Sequence, residues 1–119
     1  MKKLFVLLIS VCFISCSGPG VKVTVTNTSS ETVDSVIVTN GFDVARFGKI
    51  NPKHKDHQPL IFSGTIKSDG SYQAKIYKDG KMTSQPFGYY TNGGALSKSI
   101  DITIYNDSIK TTESNSQFY

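Results

Sequence analysis

The sequence predicts an all-β fold, an antiparallel two-sheet sandwich of about seven to eight short strands. Three observations predict it. Apolar and polar residues alternate in Val21-Lys22-Val23-Thr24-Val25 and in Ile100-Asp101-Ile102-Thr103-Ile104, the period-two signature of strands with one buried face. Turn-forming clusters, Asn27-Thr28-Ser29-Ser30, Asp69-Gly70, Asp79-Gly80 and Thr91-Asn92-Gly93-Gly94, punctuate the chain at strand-length intervals. Beyond the N-terminal run, no stretch carries the 3.6-residue apolar spacing of an amphipathic helix.

Residues 1 to 15 form the one segment expected to be helical and separate from the domain. Lys2 and Lys3 precede an uncharged run from Leu4 to Ile14, broken only by Ser10 and Cys12. That is the layout of a signal peptide. A membrane-spanning helix needs about 20 apolar residues, roughly twice this run.

The run stops at Phe13-Ile14-Ser15-Cys16. These residues resemble the lipobox of bacterial lipoproteins, in which a small residue precedes a Cys that becomes the lipidated N-terminus after cleavage. Ser15 and Cys16 match; Phe13 stands where the family carries Leu, Val or Ile, and Cys12 follows the bulky Val11 and fits worse. The resemblance implies a lipid on Cys16, a membrane partner, and a tether over residues 16–20. Ser17, where an Asp would favour inner-membrane retention, resembles the outer-membrane default, with the domain facing the periplasm. Cys12 and Cys16 are the chain's two cysteines, so a domain released before Cys16 holds no free thiol and no disulfide.

Removing residues 1–15 leaves 104 of the 119 residues, enough for one domain over residues 21–113 with a polar tail at 114–119. The formal charge falls from +4 to +2, with 11 basic against 9 acidic residues, so the basic pI carries no nucleic-acid message.

Within the domain, Val21 to Val25 form the first strand. Thr32 to Thr39 carries Val36 and Val38 on one face and Val33 and Ile37 on the other, as expected of a central strand. Gly41 to Ile50 is less regular, with Phe42, Val44 and Phe47 as expected core contacts. A polar loop is expected from Asn51-Pro52 through His57 to Pro59, and then Leu60, Phe62 and Ile66 share a strand face, with Gly64 marking a bulge or close approach. Tyr72, Ala74 and Ile76 alternate with Gln73, Lys75 and Tyr77 between two Asp-Gly turns, which reads as a meander. Met82 to Tyr90 returns as a strand with Pro86 at an edge or bend. Ile100 to Ile104 and Ser108 to Thr112 close the set, joined by Asn106-Asp107.

The stretch VKVTVTNTSSETVDSVIV resembles the opening hairpin of immunoglobulin-like domains in bacterial lipoproteins, which implies an immunoglobulin-like sandwich. DGSYQAKIYKDGK would also suit a transthyretin-like sandwich, so the sequence leaves two topologies open.

Candidate chemistry is sparse. His54-x-x-His57 with Asp56 supplies two imidazoles and a carboxylate but no further ligand, and reads as a solvated loop with no metal. There is no Gly-x-Ser-x-Gly elbow, no phosphate-binding glycine loop and no Cys/His pair in the domain, so no enzyme and no cofactor are expected. Gln85 to Gly94 is the most unusual composition. Phe87 and Tyr89 are expected on one strand face, where aromatics commonly fill a sandwich core, and Tyr90 on the other; with Asn92 able to donate and accept, the set suits either the core or a binding surface for a protein or glycan. Asp34-Ser35-Val36 and Asp107-Ser108-Ile109 resemble the Asp-Ser/Thr-aliphatic acceptor of O-glycosylation in exported Bacteroidetes proteins. Ser108, beside a turn, is the better acceptor than Ser35, read as mid-strand. The expectation is a lipid-anchored envelope protein acting as a non-catalytic binding or assembly module. Its rival is an envelope inhibitor or stress lipoprotein that inserts the Asn51 to Pro59 loop into a foreign enzyme.

Overall fold

The computed structural model describes residues 20–63, 68–91, 94–95 and 97–114. The leader, Cys16, the tether before Gly20, Gly64, Ile66, Asn92 and residues 115–119 lie outside them. The described residues are strands and turns, with no helix, in the order β1 (Gly20–Asn27), β2 (Ser35–Thr39), β3 (Val44–Phe47), β4 (Lys55–Ile61), β5 (Gly70–Lys78), β6 (Lys81–Thr91), β7 (Gly94–Ala95), β8 (Ser99–Ile104) and β9 (Ile109–Ser114). The count of nine exceeds the expected seven to eight because of the two-residue β7, while Lys55–Pro59 extends the strand expected at Leu60 instead of forming a loop.

Two sheets face each other, β4-β1-β8-β9 and β3-β2-β5-β6-β7. All pairs are antiparallel except β1 with β8, which run parallel from Lys22 opposite Ser99 to Asn27 opposite Ile104. The expectation of a wholly antiparallel sandwich is corrected there. So is the opening hairpin, since β1 pairs with β4 and β8 while β2 pairs with β3 and β5 in the other sheet. An immunoglobulin constant-type order would keep the first two strands side by side.

The alternation seen in the sequence becomes the core. Val21, Val23 and Val25 of β1 and Ile100, Ile102 and Ile104 of β8 point into the space between the sheets, against Val36, Val38, Ala74 and Ile76 of the opposite one. Each such side chain, fully withdrawn from water, contributes roughly 1.5–3 kcal/mol before the cost of ordering the chain. β2 is an interior strand of its sheet, flanked by β3 and β5, but it begins at Ser35, so Val33 lies before it. Phe42 and Val44 depart from expectation: they are 64% and 43% exposed, and only Phe47 of that trio is buried. The cause lies in the β2–β3 loop. The Asn40 carboxamide oxygen accepts the backbone N–H of Phe42 (2.9 Å) and of Asp43 (2.7 Å), while Gly41 takes φ 97°. That tight loop turns Phe42 outward.

The two ends of the sandwich are stitched differently. At the Gly20 end, Ser63 N–H donates to Asp43 Oδ2 (2.9 Å), tying the sheets together, and the Tyr90 hydroxyl donates to the Asn40 carbonyl (2.8 Å) within one sheet. At the other end, Asn27 continues the inward face of β1 and is fully buried. Its Nδ2 donates to the carbonyls of Glu31 (2.8 Å) and Ile50 (2.9 Å), and its Oδ1 accepts from the Ser29 N–H (3.0 Å) and hydroxyl (2.5 Å). Val33 and Ile50 bridge beside it. A buried carboxamide with both donors and its acceptor engaged organises three chain segments without exposing any of them.

Replacing Asn27 with Ala should cost roughly 3 kcal/mol, because two buried carbonyls and the Ser29 donors lose their partner. Asn27→Asp should be worse at neutral pH, since it aims an acceptor at two acceptors; urea denaturation of the three proteins gives the order.

Candidate functional site

The aromatic segment of β6 is divided by one glycine. Tyr72 lies opposite Phe87 and Gly70 opposite Tyr90, so β6 spends one more residue than β5 across that interval. Gly88, at φ 63°, supplies the bulge. The extra residue reverses the parity of everything after it: Phe87 and Tyr90 are both buried, and Tyr89 is 48% exposed. The expected arrangement, with Phe87 and Tyr89 together and Tyr90 apart, is corrected accordingly. Phe87 and Tyr90 are core side chains.

They join Phe62 and Tyr72 in an aromatic layer. Phe62 stands edge-on to Tyr90 at 5.4 Å and 82°, and Tyr72 stacks on Phe87 at 5.5 Å and 22°. Such geometries are favoured by ring quadrupoles and add to area burial. A Cβ at Gly70 would overlap the Tyr90 phenol, and one at Gly88 would overlap the Glu113 carboxylate and lie 2.9 Å from Tyr72 Cδ2. Gly88 is therefore fixed both by its φ and by what lies on it. Of the three expected surface residues that are described, Tyr89 faces water, its hydroxyl donating to Asp69 Oδ2 (3.2 Å), a bond that keeps the phenol protonated above its ordinary value.

His54, Asp56 and His57 fall on the turn before β4 and on β4 itself. His54 Nδ1 lies 3.0 Å from the Pro52 carbonyl, and the His57 N–H donates to Asp56 Oδ1. The expected Asn51 to Pro59 loop is corrected: Lys55 to Pro59 pair with Thr26 to Lys22 of β1, which leaves a short turn at Asn51–His54 and no projecting insertion element. Pro59 is tolerated because β4 is an edge strand. Among the described residues no three His, Cys, Asp or Glu side chains converge as metal ligands.

A groove that sequence reasoning did not assemble lies at the Asn27 end. The sandwich is closed along one side, where β3 packs on β4, but no comparable packing joins β6 to β9 among the described residues. Between those strands opens a groove of about 380 Å³, lined by Ile76, Lys78, Thr83 and Gln85 from one sheet and by Ile104 to Ile109 from the other. Its floor is aliphatic. Its rim carries the Gln85 and Asn106 carboxamides, Asp107, Ser108 and the half-open ring of Tyr105. The β8–β9 turn that builds the rim is held by Tyr105 N–H donating to the Ser108 carbonyl (2.8 Å) and by Ser30 N–H donating to Asn106 Oδ1 (2.8 Å). The signals of this site in the sequence are the Asn106-Asp107 turn and the Asp107-Ser108-Ile109 tripeptide; the convergence of β6 and β9 depends on sheet order. Ser108, one of the two expected glycan acceptors, stands exposed on the rim, whereas Ser35 is the half-buried first residue of β2, opposite Tyr77. Cys16 and Asn92 lie outside the described residues.

Further along the same edge, the Tyr72 hydroxyl and Glu113 Oε1 are buried without hydrogen-bond partners among the described residues. Burial, with the Glu113 carboxylate and then Tyr90 adding to it, pushes the Tyr72 phenol well above its ordinary value of 10.0. The folded state thus keeps a proton that the unfolded chain releases.

No protein-family profile matches the chain, and no curated protein matches it. An NMR structure of a protein from Eubacterium rectale resembles it with a TM-score of 0.53 at 9% identity, covering 85% of this chain and 94% of that one. That likeness concerns the fold alone.

Two outcomes are expected. Gly88→Ala should destabilise by roughly 2–4 kcal/mol in urea denaturation, combining the left-handed penalty with overpacking. Tyr72 should hold its full contribution below pH 10 and lose stability above it at up to about 1.4 kcal/mol per pH unit. Tyr72→Phe should flatten that loss without weakening the protein at pH 7, as thermal melts from pH 8 upward would show.

Proposed function

We propose that the protein is a lipid-anchored, non-catalytic binding module of the bacterial envelope, held through Cys16 and facing the periplasm from the outer membrane. The observation that carries this reading is the placement of the groove relative to the tether. β1 starts at Gly20, four residues after Cys16, and its eight residues end at Asn27. A strand of that length separates the two ends by about 26 Å. A chain held at Cys16 by a tether of at most about 14 Å turns the Gly20 end to the bilayer and the groove away from it.

The groove suits an extended segment of an envelope protein. Its aliphatic floor takes apolar side chains, and its carboxamides and hydroxyls take main-chain groups. The edge of β6 before Tyr90, where β7 does not reach, and the free edge of β9 flank it with further donors and acceptors among the described residues. For the sandwich itself, the order β4-β1-β8-β9 over β3-β2-β5-β6 with a parallel pair inside the first sheet supports the transthyretin-like alternative over the immunoglobulin-like one.

Cys16→Ser should move the protein from the membrane to the soluble fraction of its host. A photo-crosslinking residue at Gln85 should capture one partner in living cells, and Ser108→Arg, which crowds the rim from an exposed position, should abolish that capture at equal abundance. Capture unaffected by Ser108→Arg, or a protein that stays soluble with Cys16 intact, would overturn the reading.

A further inference from the structure

We propose that the Gly20 end makes a second, non-covalent contact with the bilayer, in which Phe42, Val44 and Ile61 enter the lipid interface while Lys22 and Lys98 meet headgroup phosphates. This rests on the anchored reading above and adds an orientation that a lipid on a tether does not impose.

Large apolar side chains exposed among the described residues are Phe42, Val44, Ile61, Met82, Tyr89 and Tyr105. The first three and Tyr89 lie at the Gly20 end; Met82 and Tyr105 lie at the other. Phe42 and Val44 flank Asp43, and Ile61 precedes Ser63 by two residues; the Ser63 N–H to Asp43 Oδ2 bond (2.9 Å) holds the two segments together. Nor is Phe42 on a loose tip. Thr39 Oγ1 accepts the Gly41 N–H (2.9 Å) and donates to the Asp43 carbonyl (2.7 Å), while Asn40 caps Phe42 and Asp43. The ring is thus held facing outward, at the cost of leaving it in water when the protein is free in solution.

Where the chain meets this patch decides its occupant. Gly20 pairs with Ile61, and a Cβ at Gly20 would lie 2.8 Å from the Leu60 carbonyl oxygen, so the chain leaves β1 hard against the end of β4. Just three residues separate Gly20 from Cys16, and the run before them is the most apolar of the sequence. A lipid attached at Cys16 therefore places Ile61, Phe42 and Val44 within reach of the interface, where aromatic and aliphatic side chains gain by leaving water.

Charge fits the same surface. The Lys22 N–H donates to the Lys98 carbonyl (3.1 Å), which sets two exposed lysines side by side. The carboxylates of this end are turned to the protein: Asp43 accepts from Ser63 and from Asn40 Nδ2 (3.1 Å), and Asp69 accepts from Tyr89. Asp43 is pulled up by burial but held below its ordinary value overall by the Ser63 and Asn40 hydrogen bonds, so it stays ionised and engaged. Anionic headgroups thus meet ammonium groups there.

The chain contains no tryptophan, so Phe42→Trp and Tyr105→Trp each install a single reporter on an exposed position at opposite ends. Each full-length variant, processed in its host, is reconstituted into vesicles of phosphatidylethanolamine and phosphatidylglycerol, with and without brominated acyl chains. Emission of the Phe42→Trp protein should shift to the blue and be quenched by bromine, while that of the Tyr105→Trp protein should show neither change. Equal, unquenched emission from both variants with Cys16 acylated, as read by mass spectrometry, would overturn the inference and leave the anchor standing. An unacylated Cys16 would remove the anchor, and quenching of the Phe42→Trp protein on added vesicles would still decide the lipid contact. A blue shift of that variant that appears without vesicles and rises with protein concentration would assign the patch to a second copy instead and overturn the inference.

Discussion

The structure depends on β1 being paired on both sides from Lys22 to Thr26. One edge of the strand is zipped antiparallel to β4 and the other parallel to β8, and its inward face contributes Val21, Val23 and Val25 before ending in Asn27. Its main-chain groups are satisfied within the sheet, and its side chains fill the middle of the sandwich. A strand in that position cannot fray without opening the core. In the sequence, Cys16 is thus followed closely by a strand that two hydrogen-bonded ladders hold, rather than by a loop. Parallel pairing of the first strand with the eighth also ties the start of the domain to its end: β1 lacks its second partner until Ser99–Ile104 is present.

What can be read in the sequence is what burial writes there. Val21 to Val25, Tyr72 to Ile76 and Ile100 to Ile104 alternate because one face of each meets the core, and Asp79-Gly80 turns tightly with φ 53° and 73°. Alternation assigns a face but names no neighbour, so the parallel β1–β8 pair and the separation of β1 from β2 leave no trace in it. Lys55 to Pro59 read as loop because all five side chains face water; the strand is made by backbone pairing to β1 alone, which leaves no apolar period. Phe87 to Tyr90 mislead for the opposite reason. The pattern is present, but Gly88 shifts its phase by one residue, and a glycine in a strand signals a bulge without saying which neighbours it turns inward.

The candidate site is less legible than the fold because it is a property of sheet order. Gln85 and Ile109 lie on strands that share no hydrogen bonds, and they approach one another only because β6 and β9 fall on the same side of their sheets. A local tripeptide singles out Ser108, yet what gives it interest is its place on the groove rim, held by the Tyr105–Ser108 turn. The aromatic segment stands out by composition, and composition is equally suited to a core layer: rings buried at the Gly20 end brace the sheets where the Asn40 loop and Ser63 meet.

The two ends of the sandwich solve different physical problems, and the difference gives the molecule a direction. The Asn27 end resolves its buried polarity internally, through one carboxamide that satisfies groups of Ser29, Glu31 and Ile50, so the groove beside it is shaped by fixed turns and carries an exposed polar rim. At the Gly20 end the Asp43 carboxylate is turned inward as well, onto Ser63 and Asn40, while Phe42, Val44, Ile61 and Tyr89 remain outside beside Lys22 and Lys98. Water penalises that arrangement and a lipid interface relieves it. An asymmetric distribution of this kind needs no helix: the hydrogen bonds of one short loop, by refusing Phe42 a place in the core, are enough to distinguish one end of the sandwich from the other.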